Sequence, residues 1–293
     1  MPGDSQGAFT KLGINSTKLC YARLVDQSRY TFVDVGAETM CGVLDHEADL
    51  VEDGIKVFRF VLSTWLRPEE FDVFLPLMGF DESPADTFTI ADDFESRTFT
   101  LTVDRVADIH AYTLCKVDKW IIRGQSGRLP LALEMHVIGT DETFPASFTP
   151  TPLNATAPYA FARGTFNILG QARRFDRFAL VGDNHIQSSF YNSFTLSSAT
   201  PADRTVILGF STPYTTDETD IYQTLAGANR RDGASDAVLT FARGSQSTSW
   251  AFENLKAEAK PPDILGKTKI LLDQYWKAYR DGENKLAIVT HVA

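Results

Sequence analysis

The chain has 293 residues, of which 43% are hydrophobic, so it has enough apolar residues to bury the cores of two domains of ordinary size. Its formal net charge is −10, and the charge is uneven: residues 1–149 carry 13 Lys and Arg against 24 Asp and Glu, whereas residues 150–293 carry 15 against 14. This balance argues against a protein that binds nucleic acid through clustered cations.

The cysteines and the apolar runs bear on the cellular compartment. Cys20, Cys41 and Cys115 are odd in number and widely spaced, so the sequence contains no disulfide framework and no paired-cysteine metal motif. No basic stretch followed by an apolar core comes after Met1, and no run approaches the ~20 apolar residues of a membrane helix. We expect a protein that is made in a reducing cytoplasm and does not enter a membrane.

In chain order, residues 1–16 are rich in Gly, Ser and Thr and predict a flexible N-terminal arm. Short runs in which Phe, Val, Thr and Ile alternate then predict strands. The first of these are Leu19–Val25, Tyr30–Val35 and Lys56–Leu62. The acidic stretch 45–53 lies before the third strand, and it predicts a solvated loop rather than a calcium site because the Asp-x-Asp-x-Asp-Gly rhythm is missing.

A short helix is predicted in each half of the chain. In the first, Pro68 and Glu69-Glu70 suit the first turn, Phe71, Phe74 and Leu75 share one face, and Gly79 ends the helix. In the second, Asp217 is a candidate N-cap, Ile221, Tyr222 and Leu225 form the packing face, and Gly227 is the stop. Each helix is expected to pack on a sheet.

The order of elements is similar in the two halves. Strands are predicted after the first helix at Thr98–Asp104, Ala111–Ile122 and Leu129–Ile138, and after the second at Ala237–Ala242, Ser249–Ala257 and Lys269–Tyr279. Before the second helix, strands are predicted at Phe175–Val181, Asn192–Ser197 and Thr205–Phe210. Short similar stretches of sequence support the match, since Ala111-Tyr112 and Lys116-Val117 correspond to Ala251-Phe252 and Lys256-Ala257. The prediction is a mainly β protein with two tandem β-sandwich or β-barrel-like modules.

The segment 143–158 holds four prolines and no charge, which favours an extended linker. We therefore place the domain boundary near residue 150. The predicted organisation is a flexible arm at 1–16, a first module at 17–149 and a second module at 150–293.

No constellation of residues in the sequence predicts covalent chemistry. No histidine has metal-ligand spacing with another, and the chain lacks a Gly-x-Ser-x-Gly elbow, a P-loop and a dinucleotide fingerprint. Asp92-Asp93 and Glu69-Glu70 are neighbours in sequence, which makes them poor acid/base pairs. The histidines, expected to be surface or structural, are His46, His110, His136, His185 and His291. We predict no catalytic, cofactor-binding or metal-binding residue, no cofactor, and no enzyme activity.

The tryptophans are candidates for an aromatic platform that binds a ligand, and they are Trp65, Trp120, Trp250 and Trp276. Core packing is favoured for Trp250, which lies in an alternating strand pattern. Trp276 is expected at an interface, where aromatic residues are enriched.

These patterns resemble a known family. The helix phrase 71–79, the strand 99–105 and the passage from Tyr112 through Val117 to Gly127–Leu133 are similar to the tail tube proteins of long-tailed, siphovirus-like bacteriophages. The resemblance implies a curved sheet in each module that joins its neighbours to line a tube, with a short helix outside. Rings of the family stack into a conduit through which the genome is ejected into the host.

The resemblance also implies the partners. A chain with two modules would close as a trimer of pseudo-hexameric symmetry, or as a hexamer if the second module departs from the pattern, as Lys260–Asp263 suggests by interrupting it. Other tail proteins (tape measure, terminator, distal tail) would bind it, and viral DNA would pass without specific binding. The protein would be assembled in the host bacterial cytoplasm and reside in the virion tail. Residues 1–16, the loop 45–53 and the C-terminal strand ending at 290–293 are expected to contact adjacent rings.

Two other classes of protein stay open at this point. One is a two-domain β-sandwich binding module or another virion structural protein, and the other is a hydrolase with dispersed catalytic groups. A stable monomer with a ligand would indicate the first, and turnover of generic substrates the second.

Overall fold

A computed structural model describes residues 10–20, 23–34, 51–91, 96–153, 156–191, 196–215, 219, 221, 223, 235–257, 270–280 and 287–292. The first half of this part contains β1 (Lys11–Ile14), β2 (Thr17–Leu19), β3 (Arg23–Asp26), β4 (Arg29–Asp34), β5 (Val51–Trp65), α1 (Pro68–Leu77), β6 (Phe80–Glu82), β7 (Thr87–Ile90), β8 (Phe99–Asp104), β9 (Ile109–Gln125), β10 (Arg128–Gly139) and β11 (Asp141–Thr143). The second half contains β12 (Thr151–Pro152), a 3-10 turn (Phe161–Arg163), β13 (Gly164–Ile168), β14 (Gln171–Arg173), β15 (Arg177–Asp183), β16 (Ile186–Ser189), β17 (Ser198–Pro201), β18 (Thr205–Pro213), β19 (Ser235–Arg243), β20 (Gln246–Ala257), β21 (Leu271–Ala278) and β22 (Ile288–Val292). The prediction of a mainly β fold is confirmed.

The long strand β9 belongs to two parts of the sheet network. Its first part pairs with β8 and β11, and its last part pairs with β10 on one side and β15 on the other. A strand of 17 residues that changes partners in this way links two layers of sheet through its own covalent chain. It thereby fixes the layers relative to each other.

Antiparallel pairings place eight strands side by side in the order β3-β5-β10-β9-β15-β18-β21-β20. Four of these strands come from each half of the chain. At its other end β20 also pairs with β22, and β22 pairs in turn with β7 of the first half. Main-chain hydrogen bonds therefore join the halves at both of these places, β9–β15 and β22–β7.

The predicted first helix is confirmed as α1. Pro68 begins it, where a missing N–H costs nothing, and Glu69 and Glu70 lie in its first turn. Phe71, Phe74 and Leu75 are buried. Of the predicted second helix, Thr219, Ile221 and Gln223 are helical and Ile221 is buried in the core, while the other residues of 217–227 lie outside the described residues.

One cluster of buried side chains draws on both halves. Its centre is aromatic: the rings of Trp120 and Trp250 are 5.6 Å apart, and Phe80 lies 5.6 Å from Trp250. Trp250 is 1% exposed, so the prediction that it packs in the core is confirmed. Trp276 is 0% exposed and packs on Phe210, so the prediction that it lies at an interface is wrong; its neighbour Tyr275, on the opposite face of β21, is the exposed residue.

The same order of pairings is found in each half. The hairpin β1–β2 and the pairs β1–β8, β8–β9, β9–β10, β5–β10 and β3–β5 have counterparts in β13–β14, β13–β19, β19–β20, β20–β21, β18–β21 and β15–β18. The register shift in β8–β9, between Phe99 and Leu101, has its counterpart in β19–β20 between Ser235 and Ala237. The division into modules at 17–149 and 150–293 stays a prediction.

Three local expectations need correction. The arm predicted at 1–16 is wrong at its end, because Lys11–Ile14 form β1 and bury Leu12 and Ile14; residues 1–9 lie outside the described part. In the linker, Thr151 pairs with Thr17 in a short parallel strand. Leu196 and Ser197 are not in a strand, and the rest of the predicted strand at 192–197 is not described.

Candidate assembly surface

The joint between the two halves is the pairing of β9 with β15. Seven consecutive residue pairs form it, from Lys119 opposite Asp183 to Gln125 opposite Arg177. Near one end of it Gly182 lies opposite Trp120, and a Cβ added to this glycine would lie 2.0 Å from the indole ring. The glycine is needed because the buried Trp120 ring covers the main chain there. This joint makes one continuous sheet out of two sets of four strands.

A hairpin of the second half packs on the first half beside the joint. It is formed by β16 and β17, and it packs on Ile138 of the first half through Leu196 and Ala199. The Lys116 ammonium, only 6% exposed, donates a hydrogen bond of 2.7 Å to the main-chain oxygen of Ala199. Such a buried charge is tolerated only when polar groups surround it.

The beginning of this hairpin is held in place by two further hydrogen bonds. The side-chain amide of Asn184 donates to the main-chain oxygen of Val117 at 2.8 Å, and the main-chain N–H of Ile186 donates to Oδ1 of Asp118 at 2.8 Å. Together with the Lys116 bond they fix the β16–β17 hairpin against β9. We call this arrangement of hairpin and β9 the clasp.

The solvent face of the eight-stranded sheet carries one row of residues that runs across six strands. Each residue in this row lies opposite the next, and the row consists of Trp65, Ala132, Arg123, Ala179, Gly209 and Tyr275. The small residues form the floor of a groove of about 390 Å³, and Trp65 and Tyr275, 43% and 71% exposed, stand at its ends.

Charges on this face are paired across strands. Arg123 lies 3.3 Å from Glu134, and Arg177 lies 3.0 Å from Asp273. All four side chains are at least a quarter exposed, so each pair contributes little to stability. Their consequence is electrostatic: the arginines are partly neutralised where they face solvent.

A polar cluster holds the base of β4 against β9 and β11. The Tyr30 hydroxyl donates to the Glu142 carboxylate, and Nδ1 of His110 lies 2.7 Å from the same carboxylate. Burial acts to raise the pKa of Glu142, but the hydrogen bonds from Tyr30, His110 and Tyr112 outweigh it and lower that pKa. Arg105 adds a 2.7 Å ion pair to Asp26, at the end of β3.

A second polar chain lies in the interior. The Tyr159 hydroxyl and the Thr248 hydroxyl are 2.9 Å apart, Nδ1 of His291 lies 2.8 Å from Thr248, and Nε2 lies 3.5 Å from Asp72. The order Asp, His, Thr is that of a hydrolase triad, but Thr248 is 1% exposed and no substrate could reach it. Burial lowers the pKa of His291 and raises that of Tyr159 to about 12. This series of polar contacts links α1, β20 and β22, which is a structural role.

The C-terminal strand lies inside this arrangement. β22 has β20 on one side and β7 on the other, so residues 288–290 have no open edge. The expected contact of 290–293 with adjacent rings stays a prediction. The acidic loop 45–50, His46 and Cys41 lie outside the described residues, as do Asp92 and Asp93.

The other histidines lie at the surface or in local pairs. His136 is 3.1 Å from Glu134, and His185 accompanies Asp183 at the end of β15. Within the described residues no group of three or more His, Cys, Asp or Glu side chains could hold a metal ion. The helices of this part are also too short or too polar to cross a bilayer.

Sequence reasoning missed the role of Lys116 in the clasp. The signal was present, because Lys116-Val117 corresponds to Lys256-Ala257, but repetition alone does not tell which copies of a residue are buried. The groove between Trp65 and Tyr275 was also missed, since its residues come from six strands.

A mainly β chain with a continuous sheet, a helix packed on it and an exposed aromatic face has the features of a structural assembly protein. The family described as phage tail tube protein matches residues 25–278, and the chain belongs to this family. It is therefore a structural protein of the phage tail, a role that implies no enzymatic activity. Comparison with curated proteins found no match.

Proposed function

We propose that this protein assembles with copies of itself into stacked rings that form the tube of a siphovirus-like tail and conduct the genome into the host. The observation that supports this most is the eight-stranded sheet, to which each half contributes four strands. Among the described residues its first strand, β3, pairs only with β5 and leaves one edge open. An open edge is an aggregation hazard unless a partner covers it.

The chain is proposed to hold two copies of one tube module. The registers of the strand pairs β3–β5 and β15–β18 are equivalent, which supports this proposal. Arg23 lies opposite Ser63 in the first half, and Arg177 lies opposite Ser211 in the second. Ser63 and Ser211 each precede a buried threonine, Thr64 and Thr212. A chain with two equivalent modules closes a ring of pseudo-hexameric symmetry with three copies, so we favour the trimer over the hexamer.

The solvent face of the sheet is the proposed lining of the conduit. Its arginines at 123 and 177 are paired with Glu134 and Asp273, which reduces their attraction for DNA phosphates. Passage without specific binding requires a surface of this kind. Tape measure, terminator and distal tail proteins are the further partners that we propose, with assembly in the host bacterial cytoplasm.

Imaging and native mass spectrometry of the purified full-length protein test the proposal. We expect rings or tubes by negative-stain electron microscopy, with three copies in each ring, and the same protein as a major component of purified tails. A monodisperse monomer at high concentration would contradict the proposal. Rings of six chains would contradict only the stoichiometry.

A further inference from the structure

The β16–β17 hairpin has a counterpart in the first half, formed by β4 and the beginning of β5. Ile186 lies opposite Pro201 and Ser188 opposite Ala199 in the second half, while Phe32 lies opposite Asp53 and Asp34 opposite Val51 in the first. Ile186 lies nine residues after Arg177 of β15, and Phe32 lies nine residues after Arg23, which has the equivalent register in β3. Position 51 is therefore the counterpart of position 199.

These two hairpins differ in what they pack against. The second-half hairpin buries Ala199 on Ile138 in the clasp. The first-half hairpin has exposed residues on both faces of β4, at Arg29, Tyr30 and Thr31, and Ile55 on its partner strand is 42% exposed. Its base is anchored by Tyr30, whose hydroxyl donates to the carboxylate of Glu142.

The surface that the β16–β17 hairpin packs on, formed by Lys116 and Ile138, also has a counterpart in the second half. We call each of these two surfaces a seat. Lys116 follows Cys115, which lies opposite Phe99 in β8, and Lys256 follows Leu255, which lies opposite Ser235 in β19. Both lysines also occupy the same position relative to the following strand, because Lys116 pairs with Ile138 and Lys256 with Lys277. Lys256 is thus the counterpart of Lys116. Its ammonium lies 5.7 Å from the centre of the Tyr279 ring, which is 42% exposed.

In each half, the charge of the hairpin can be compared with the charge of the seat at the equivalent position. Residues 29–57 contain seven Asp and Glu against two cations, Arg29 and Lys56, whereas residues 186–202 contain no charged residue. The uncharged hairpin packs on a seat formed by Lys116 and Ile138. The seat at the equivalent position has two cations, Lys256 and Lys277, which suits the acidic hairpin.

From these relationships, and resting on the proposed ring, we propose that a second copy of this chain completes a second clasp. In it, Lys256 of one copy donates a hydrogen bond to the main-chain oxygen of Val51 in the next copy. The β4–β5 hairpin then covers Lys256, Lys277 and Tyr279, as the β16–β17 hairpin covers Lys116. The contact between chains copies the contact within the chain and contains more charged residues.

Lys256→Met tests the clasp, because it removes the ammonium and keeps an unbranched stem. Lys18→Met, on an exposed position of β2, is the matched control. We measure the protein concentration for half-maximal ring formation by light scattering and native mass spectrometry. A hydrogen bond to a charged group is worth a factor of about ten to a hundred in affinity, so Lys256→Met should raise that concentration by about this factor. Lys18→Met should leave it unchanged.

Two further readouts keep the result interpretable. The unfolding midpoint of the Lys256→Met monomer should match that of the wild type, which shows that the fold is intact. With a benzoylphenylalanine photo-crosslinker at position 256, crosslinks should join two chains and map to the peptide that contains Val51. Half-assembly should also need more protein as salt is added, since the clasp joins opposite charges.

The outcomes separate this inference from the function. If the wild-type chain forms rings and Lys256→Met forms them at the same concentration, or if the crosslinks map away from residues 29–57, the second clasp is wrong while the tube function stands. If the wild-type chain forms no rings at any concentration, the proposed function and the clasp both fail.

Discussion

The main-chain N–H of Cys20 donates a hydrogen bond of 2.9 Å to Oε1 of Glu70, a carboxylate of α1 that is only 1% exposed. Burial raises the pKa of Glu70 to about 7. Since the unfolded chain binds the same proton with a pKa near 4.5, the folded state holds it more tightly. Stability attributable to this group is therefore present at low pH and lost as pH rises toward 7.

Glu70→Gln should remove that loss. We expect the variant to be more stable than wild type at pH 8, by up to about 3 kcal/mol, and to show no gain at pH 4.5. Urea unfolding at the two pH values measures the difference. Glu69→Gln is the control: the hydrogen bonds of Glu69 lower its pKa against the effect of burial, so this variant should lose stability at pH 8. A pH-independent effect of Glu70→Gln would refute the assignment.

His291 should make the fold sensitive to acid. Burial lowers its pKa, so the folded chain favours the neutral ring and loses stability as pH falls below the unfolded value near 6.5. His291→Asn breaks the buried bond to Thr248 and should cost about 1–3 kcal/mol at pH 7. The deficit relative to wild type should shrink at pH 5, because only the wild type then has to charge a buried ring. A deficit that grows on acidification would contradict this.

Cys115 should resist alkylation. It is 0% exposed, and burial raises the pKa of its thiol to about 12, so almost no thiolate forms at pH 8. Mass spectrometry after iodoacetamide treatment should find Cys115 unmodified in the folded protein and modified in urea. Cys20, which is half-buried, serves as the internal comparison and should react first. Rapid modification of Cys115 without urea would show that the core around β9 opens readily.

Gly182→Ala should damage the joint between the halves. Its new Cβ would lie 2.0 Å from the buried ring of Trp120, which has no room to move, so we expect a loss of about 3 kcal/mol. Gly209→Ala is the matched control, because its Cβ would approach only the exposed ring of Tyr275, at 3.0 Å. It should stay within about 1 kcal/mol of the wild type. Thermal unfolding compares the two, and equal losses would show that the Trp120 contact is not the cause.

Local pattern was sufficient to predict much of the fold. Alternation located β8, β9 and β10 in the first half and β15, β18, β19, β20 and β21 in the second. Pro68 with two following glutamates located α1. These signals depend on residues close in sequence. Composition failed at the N-terminus, where Gly and Ser predicted an arm although Leu12 and Ile14 are buried in β1. Those two residues become apolar anchors only through their pairing with β2 and β8.

By itself, the sequence determined the strand-forming segments and the likeness between the halves, since side-chain alternation and turn residues are written into short stretches of chain. Tertiary structure alone decided which edges meet: β15 on β9, β22 between β20 and β7, and the hairpin of the second half over Lys116. Strand edges pair through the N–H and C=O groups of the main chain, which all residues except proline share. A short stretch of sequence therefore does not show which strand will be its partner. The choice depends on which apolar faces can be buried together, and that is a property of the whole chain.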